Sequence, residues 1–132
     1  MADKILNKRM KGLLARLNPP DNNLLDVLSV IYDFRPVATC ALWPQSVRSL
    51  APQVRILDKL AEKSDCAIEE GWVDNIYFFM KKSHKPNVNY FIRKYYSPLE
   101  SKDAEIAFGE LMNYPKCCID SAVNNGKKYL VK

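Results

Sequence analysis

Two runs of aromatic and β-branched residues, 75–82 and 88–96, most strongly constrain the fold of this chain. Side chains of these types favour β-strands. The five intervening residues, 83–87, suit the loop of an antiparallel hairpin, although no two-residue turn signature fixes the register. The sequence therefore predicts a β-hairpin over residues 75–96, against which the rest of the chain has to pack.

Helical patterns lie on both sides of the predicted hairpin. Apolar residues recur there at steps of three and four, and prolines or Asn-Gly mark the ends. The predicted helices cover residues 3–17, 21–34, 49–64, 97–113 and 115–126. A short strand is predicted at 65–68, and 37–43 is either a buried strand or an extended connection. The pattern indicates an α+β fold, with helices flanking a small antiparallel sheet built around the β-hairpin.

Composition narrows the class of protein. The chain has 132 residues, of which 48% are apolar and 27% are charged, as is typical of globular proteins. Its apolar runs fall far short of the roughly 20 residues that a membrane helix needs. The first residues lack the pattern of a signal peptide. We therefore expect one cytoplasmic α+β domain over residues 1–132, with no membrane partner and unknown oligomeric state.

Charge is segregated along the chain. The 20 Lys and Arg exceed the 15 Asp and Glu, which gives a net charge of +5. Residues 1–20, a basic helix with a proline break, have a net charge of +4, and 75–96 hold five basic residues and no acid. Residues 127–132 add three lysines, whereas the intervening stretches are acidic. The sequence leaves open whether the three basic patches share one face.

Pairing the hairpin symmetrically about Lys85 places rings and cations together on one face. Single-stranded nucleic acid binds such surfaces, since bases stack on rings and cations meet phosphates. Alternatively, helices cover both faces, so that the second face is also core, and a one-residue register slip would swap the faces. The candidate residues for binding nucleic acid or a partner are Lys4, Lys8, Lys11, Tyr77, Phe79, Lys81, Lys82, Lys85, Phe91, Arg93, Lys94 and Tyr95.

Two of the four cysteines, Cys117 and Cys118, are adjacent and closely follow Pro115. A proline at the start of a helix would put both in its first turn, where the helix dipole favours a thiolate. They are candidates for a reactive thiol or for two metal ligands, but cysteines are also commonly buried as small apolar residues. No CxxC pair is present and His84 is the single histidine. We predict no cofactor, and a metal bound by the two cysteines remains an alternative.

Residues 105–125 resemble the end of an archaeal family, the domain-of-unknown-function family 483. The shared segment is Tyr-Pro-x-Cys-Cys at 114–118, followed by the apolar residue Ile119. Asn113 stands where the family has glycine. The resemblance implies an archaeal origin, a cytoplasmic location and a small α+β domain, and it implies no reaction. We expect Asn113 to adopt a positive φ, and Tyr114 and the thiols to pack between two helices within residues 97–126.

These features favour a small non-enzymatic binding protein that contacts RNA, a ribonucleoprotein or an acidic protein partner through basic and aromatic surfaces. One alternative is a thiol- or metal-dependent protein centred on Cys117 and Cys118. A second alternative is a structural subunit of a larger complex.

Overall fold

The computed structural model describes residues 8–16, 20–42, 51–72, 75–95 and 97–124. It confirms the predicted α+β class, with helices flanking a small antiparallel sheet. The elements in chain order are α1 (Lys8–Leu14), α2 (Pro20–Ile31), β1 (Val37–Ala41), α3 (Ala51–Lys63), β2 (Cys66–Glu70), β3 (Ile76–Lys81), a 3-10 turn (Lys82–His84), α4 (Lys85–Lys94), α5 (Lys102–Leu111) and α6 (Lys116–Val123).

The sheet has the strand order β1-β3-β2, and both pairings are antiparallel. In the register, Val37 of β1 lies opposite Met80 of β3, and Cys66 of β2 lies opposite Lys81 of β3. The strand predicted at 65–68 is thereby confirmed, and the ambiguous segment at 37–43 contains strand β1. Strand β3 pairs with both β1 and β2 and is therefore the central strand of the sheet.

Both faces of the sheet are covered by helices. Phe78 and Phe79 are neighbours on β3 and point to opposite faces, yet both are fully buried. Phe79 packs in a cluster with apolar residues of α1, α2 and α3, whereas Phe78 packs with residues of α4 and with Met112 after α5. A strand buried on both faces is apolar throughout rather than alternating, which accounts for the run from Ile76 to Met80.

The prediction of a second hairpin strand at 88–96 is wrong, because residues 85–94 form helix α4. Pro86 lies in the first turn of α4, where proline is well tolerated. Val88 and Phe91, three positions apart, are buried against the sheet, and Ile92 and Tyr95 pack beside them. This helical spacing prevailed over the β-preference of the individual residues, so the hairpin of the structure is β2–β3.

The other helices lie close to their predicted positions. Pro52 is in the first turn of α3, as predicted. Helix α5 begins at Lys102, after a turn at 97–100, because the Ser101 hydroxyl caps it by accepting a hydrogen bond from the Ala104 N–H at 3.1 Å. The predicted start of the first helix, at 3–7, and the tail at 127–132 lie outside the described residues.

The chain turns sharply between α5 and α6 at Asn113. Its φ is +62°, which confirms the positive φ expected there. The Asn113 N–H donates to the Glu110 carbonyl at 3.1 Å, and the Tyr114 N–H donates to the Gly109 carbonyl at 2.9 Å. These two bonds form a Schellman motif, which requires a left-handed residue after the helix and therefore favours glycine or asparagine.

The packing of this corner differs from the expectation. Cys117 and Cys118 are exposed, so the thiols do not lie between the helices. Ile119 is buried and contacts α5 at Gly109, where a Cβ atom would lie 2.6 Å from Ile119 Cγ1. The ring of Tyr114 meets Phe108 edge-on, with centroids 6.4 Å apart, but Tyr114 remains 42% exposed.

Candidate nucleic-acid interface

The face of interleaved rings and cations predicted from a hairpin does not form. Phe79 is fully buried and Phe91 is only 4% exposed, so neither ring is available to stack on a base. Tyr77 is half-buried against the core that contains Phe79. Tyr95 is also half-buried, with its ring centroid 5.3 Å from that of Phe91. There are two physical reasons: residues 85–94 form helix α4 instead of a strand, and helices cover both faces of the sheet.

Lys81 is mostly buried and pairs with groups of the protein itself. Its Nζ lies 2.7 Å from Asp33 Oδ1, and it donates to the Ile31 carbonyl at 3.3 Å. The Lys81 side chain is only 16% exposed. A cation at the C-terminus of α2 is favourable, since the last carbonyls of a helix carry partial negative charge.

Lys82 and Lys85 lie at the surface beside acidic side chains. Lys82 Nζ is 3.8 Å from an oxygen of Asp65, and Lys85 Nζ is 3.6 Å from an oxygen of Glu69. Exposed ion pairs of this kind contribute little stability. Both lysines can therefore exchange these partners for a bound anion, although their charge is partly balanced in the free protein.

The exposed side of α4 presents a ring beside two cations. Tyr90 is 60% exposed and projects away from the core that holds Val88. Lys94 Nζ lies 3.3 Å from the Tyr90 hydroxyl and 5.6 Å from the centroid of the Tyr90 ring. Arg93 is exposed on the same side. We refer to Asn87, Tyr90, Arg93 and Lys94, which fall at helical spacing, as the α4 outer face.

The electrostatics of the α4 outer face favour an anionic ligand. Residues 75–96 contain no acid. The hydrogen bond from Lys94 to the Tyr90 hydroxyl raises the pKa of Lys94, and the charge interactions with Tyr90 and Tyr95 act in the same direction. Lys94 therefore stays protonated throughout the physiological range.

A hairpin paired symmetrically about Lys85 would place Tyr90 on the core face, and for this reason Tyr90 is not among the binding residues predicted from the sequence. The signal that identifies it is the helical period: Val88, Phe91 and Ile92 define the buried side, and Tyr90 then falls outside it. Arg93 and Lys94 were predicted as binding residues and are exposed, as that role requires.

A cleft extends this surface at the N-terminal end of α4. It has a volume of about 340 Å³, and its lining includes His84, Arg35 and Phe34 together with the ion pair of Asp33 and Lys81. His84 Nδ1 lies 3.4 Å from Asn87 Nδ2, which joins the cleft to the α4 outer face. Phe34 is 82% exposed and supplies a second accessible ring. An exposed aromatic ring therefore lies at each end of this surface.

The basic residues of α1 lie elsewhere. Lys8 and Lys11 are exposed, but Met10 and Leu13 of the same helix join the core on the Phe79 side of the sheet. Helix α4 packs on the opposite side. The two described basic patches therefore do not share a face, while Lys4 and residues 127–132 lie outside the described residues.

The adjacent cysteines form a separate candidate site in the first turn of α6. Both thiols are exposed, whereas Cys40 and Cys66 are buried. The side-chain hydrogen bond with Cys117 raises the pKa of Cys118, contrary to the lowered pKa expected from the helix dipole. Burial raises the pKa of Cys40 strongly, so that thiol is inert.

Within the part of the chain that the structure describes, no three His, Cys, Asp or Glu side chains lie close enough together to bind one metal ion. The described helices also include none that is long and apolar enough to cross a membrane.

Comparisons of the chain with protein-family models, curated proteins and solved structures found no match. The resemblance to family 483 therefore stays a prediction.

Proposed function

We propose that this protein is a non-enzymatic binding protein that contacts single-stranded RNA through the α4 outer face. The observation that carries the proposal is the exposed ring of Tyr90, with Lys94 against it and Arg93 alongside. A base can stack on the ring while the two cations meet the flanking phosphates.

An acidic protein partner would also be attracted by these cations, but the rings favour nucleic acid. Tyr90 is 60% exposed and Phe34 is 82% exposed. A flat ring beside a cation matches a base and its phosphate, whereas an acidic peptide needs only the charge. Free RNA and a ribonucleoprotein both present such bases. The proposal includes an archaeal origin and a cytoplasmic location, where exposed thiols such as Cys117 remain reduced.

The test is the binding of a labelled, unstructured RNA oligonucleotide, followed by fluorescence anisotropy at several salt concentrations. The proposal predicts binding at low salt, with an association constant that falls linearly with salt on logarithmic axes. A duplex of the same length should bind more weakly, because its bases are already stacked. Absence of RNA binding at low salt would refute the proposal, and binding of a poly-glutamate peptide instead would indicate an acidic protein partner.

A thiol-dependent activity is the second candidate, and one observation favours it. Cysteines are usually buried, yet Cys117 and Cys118 are both exposed and adjacent. A role as a structural subunit of a larger complex stays a proposal, which co-purification from the native source would test.

A further inference from the structure

Cys117 and Cys118 present two accessible sulfur atoms that the packing of the fold does not use. The chain has four cysteines and one histidine, and all five lie within the described residues. The other two cysteines, Cys40 and Cys66, are buried in the core on the Phe79 side of the sheet. Among the described His, Cys, Asp and Glu side chains, none lies close enough to join these two thiols as a third metal ligand.

An internal disulfide between these two residues is geometrically unfavourable. Adjacent Cα atoms are about 3.8 Å apart, below the range of about 4.4–6.8 Å that disulfides usually span. Closing the bond would also distort the first turn of α6. The geometry therefore favours the dithiol over an internal disulfide, and a metal ion bound by both sulfurs avoids this strain.

The number and type of the donor atoms determine which metal ion the site prefers. Thiolates prefer soft cations such as Cu(I), whereas a structural zinc site usually takes four ligands in a tetrahedron. Two thiolates around Cu(I) form a complex with a charge of −1. The N-terminus of α6, in whose first turn both cysteines lie, favours a negative charge at this position.

We propose that Cys117 and Cys118 together bind one Cu(I) ion per chain. Two Cu–S bonds form and two S–H bonds break, so two protons are released to solvent and copper stays in the +1 state. The site lies on α6 and not on α4, so this proposal is independent of RNA binding.

The experiment titrates the reduced full chain with Cu(I) under anaerobic conditions against a coloured Cu(I) chelator, and native mass spectrometry gives the stoichiometry. We expect one Cu(I) per monomer. Replacing either exposed cysteine, as Cys117→Ser or Cys118→Ser, should weaken copper binding at least about tenfold. The matched control is Cys66→Ala, which removes a buried thiol and should keep the copper site, with circular dichroism confirming that each variant is folded.

Three outcomes would overturn the proposal. The first is that the chelator removes all copper from the wild-type chain. The second is that the double variant Cys117→Ser/Cys118→Ser binds copper as tightly as the wild type. The third is a stoichiometry of one ion per two chains, which would indicate a four-sulfur site shared between copies.

Discussion

Gly109 lies so close to Ile119 that a Cβ atom at position 109 would approach Ile119 Cγ1 to 2.6 Å and Cδ1 to 2.9 Å. This contact joins α5 to α6. It permits Ile119 to be buried beside the helix, while the turn at Asn113 sets the direction of α6. A glycine inside a helix is therefore required here for close approach.

We expect Gly109→Ala to lower the free energy of unfolding by about 1–3 kcal/mol, because the added methyl group displaces a buried side chain. The matched control is Gly12→Ala in α1, where a Cβ atom would meet nothing within 4 Å. This control should raise the free energy of unfolding by about 0.5–1 kcal/mol, since alanine favours a helix more than glycine does. Urea denaturation measures both, and equal effects at the two positions would contradict the packing described.

Asn113 offers a second test of the same corner. Asn113→Ala should destabilise the protein by about 1 kcal/mol, because alanine adopts a positive φ at greater cost than asparagine. Asn113→Gly should be at least as stable as the wild type. Thermal unfolding of the three proteins ranks them, and an alanine variant more stable than the glycine variant would contradict the left-handed conformation.

Asp26 predicts a dependence of stability on pH. Burial raises its pKa above the ordinary value of 3.8, and Arg35 only partly offsets this. The folded state therefore binds the proton more tightly than the unfolded chain, so this residue lowers the free energy of unfolding as pH rises above 3.8. Asp26→Asn should stabilise the protein at pH 7 by less than about 1 kcal/mol, since the half-exposed side chain is screened by solvent.

The gain from Asp26→Asn should shrink as the pH falls to 3.8 and below, because the wild-type carboxyl then becomes protonated in the unfolded as well as the folded state. Asp58→Asn, at an exposed position of α3, serves as the control and should show little change. Urea denaturation at both pH values measures the difference. A loss of stability at neutral pH in Asp26→Asn would show that the pairing with Arg35 outweighs burial.

The four thiols should fall into two classes. Cys117 and Cys118 are exposed and should react with Ellman's reagent in the native protein, whereas Cys40 and Cys66 should react only after unfolding. Two fast thiols in the native state and four in denaturant are therefore expected. Fast reaction of all four in the native protein would contradict the burial of the two core cysteines.

Much of the fold could be predicted from the sequence because single segments carry strong local signals. Pro52 marks the start of α3, and the positive φ at Asn113 is predicted because asparagine stands there in place of the glycine of the family that the segment resembles. The central strand β3 could be predicted from its apolar run. Its partners could not, because strand pairing depends on contacts between residues distant in sequence, such as Val37 with Met80.

The candidate site was predicted only in part. Arg93 and Lys94 could be identified because a run of bases without acids is visible in the sequence. The aromatic partner could not, since a strand places Tyr90 on the core face and a helix places it outside, and the same residues suit both patterns. The burial of Phe79 followed only from the helices that cover its face of the sheet.

The central claim is that RNA binds the α4 outer face, and a comparison of two equal charge losses tests it most directly. Arg93→Ala/Lys94→Ala removes two cations from α4, and Lys8→Ala/Lys11→Ala removes two from the opposite side of the sheet. RNA affinity is measured for both by fluorescence anisotropy over a range of salt concentrations, alongside Tyr90→Ala.

The account predicts that Arg93→Ala/Lys94→Ala weakens RNA binding at least about tenfold and reduces the salt dependence by about 0.7 per lost phosphate contact. Tyr90→Ala should weaken binding by about 1–3 kcal/mol without changing the salt dependence. Lys8→Ala/Lys11→Ala should stay within about twofold of the wild type. Equal losses from the two charge pairs, with no effect of Tyr90→Ala, would contradict the account.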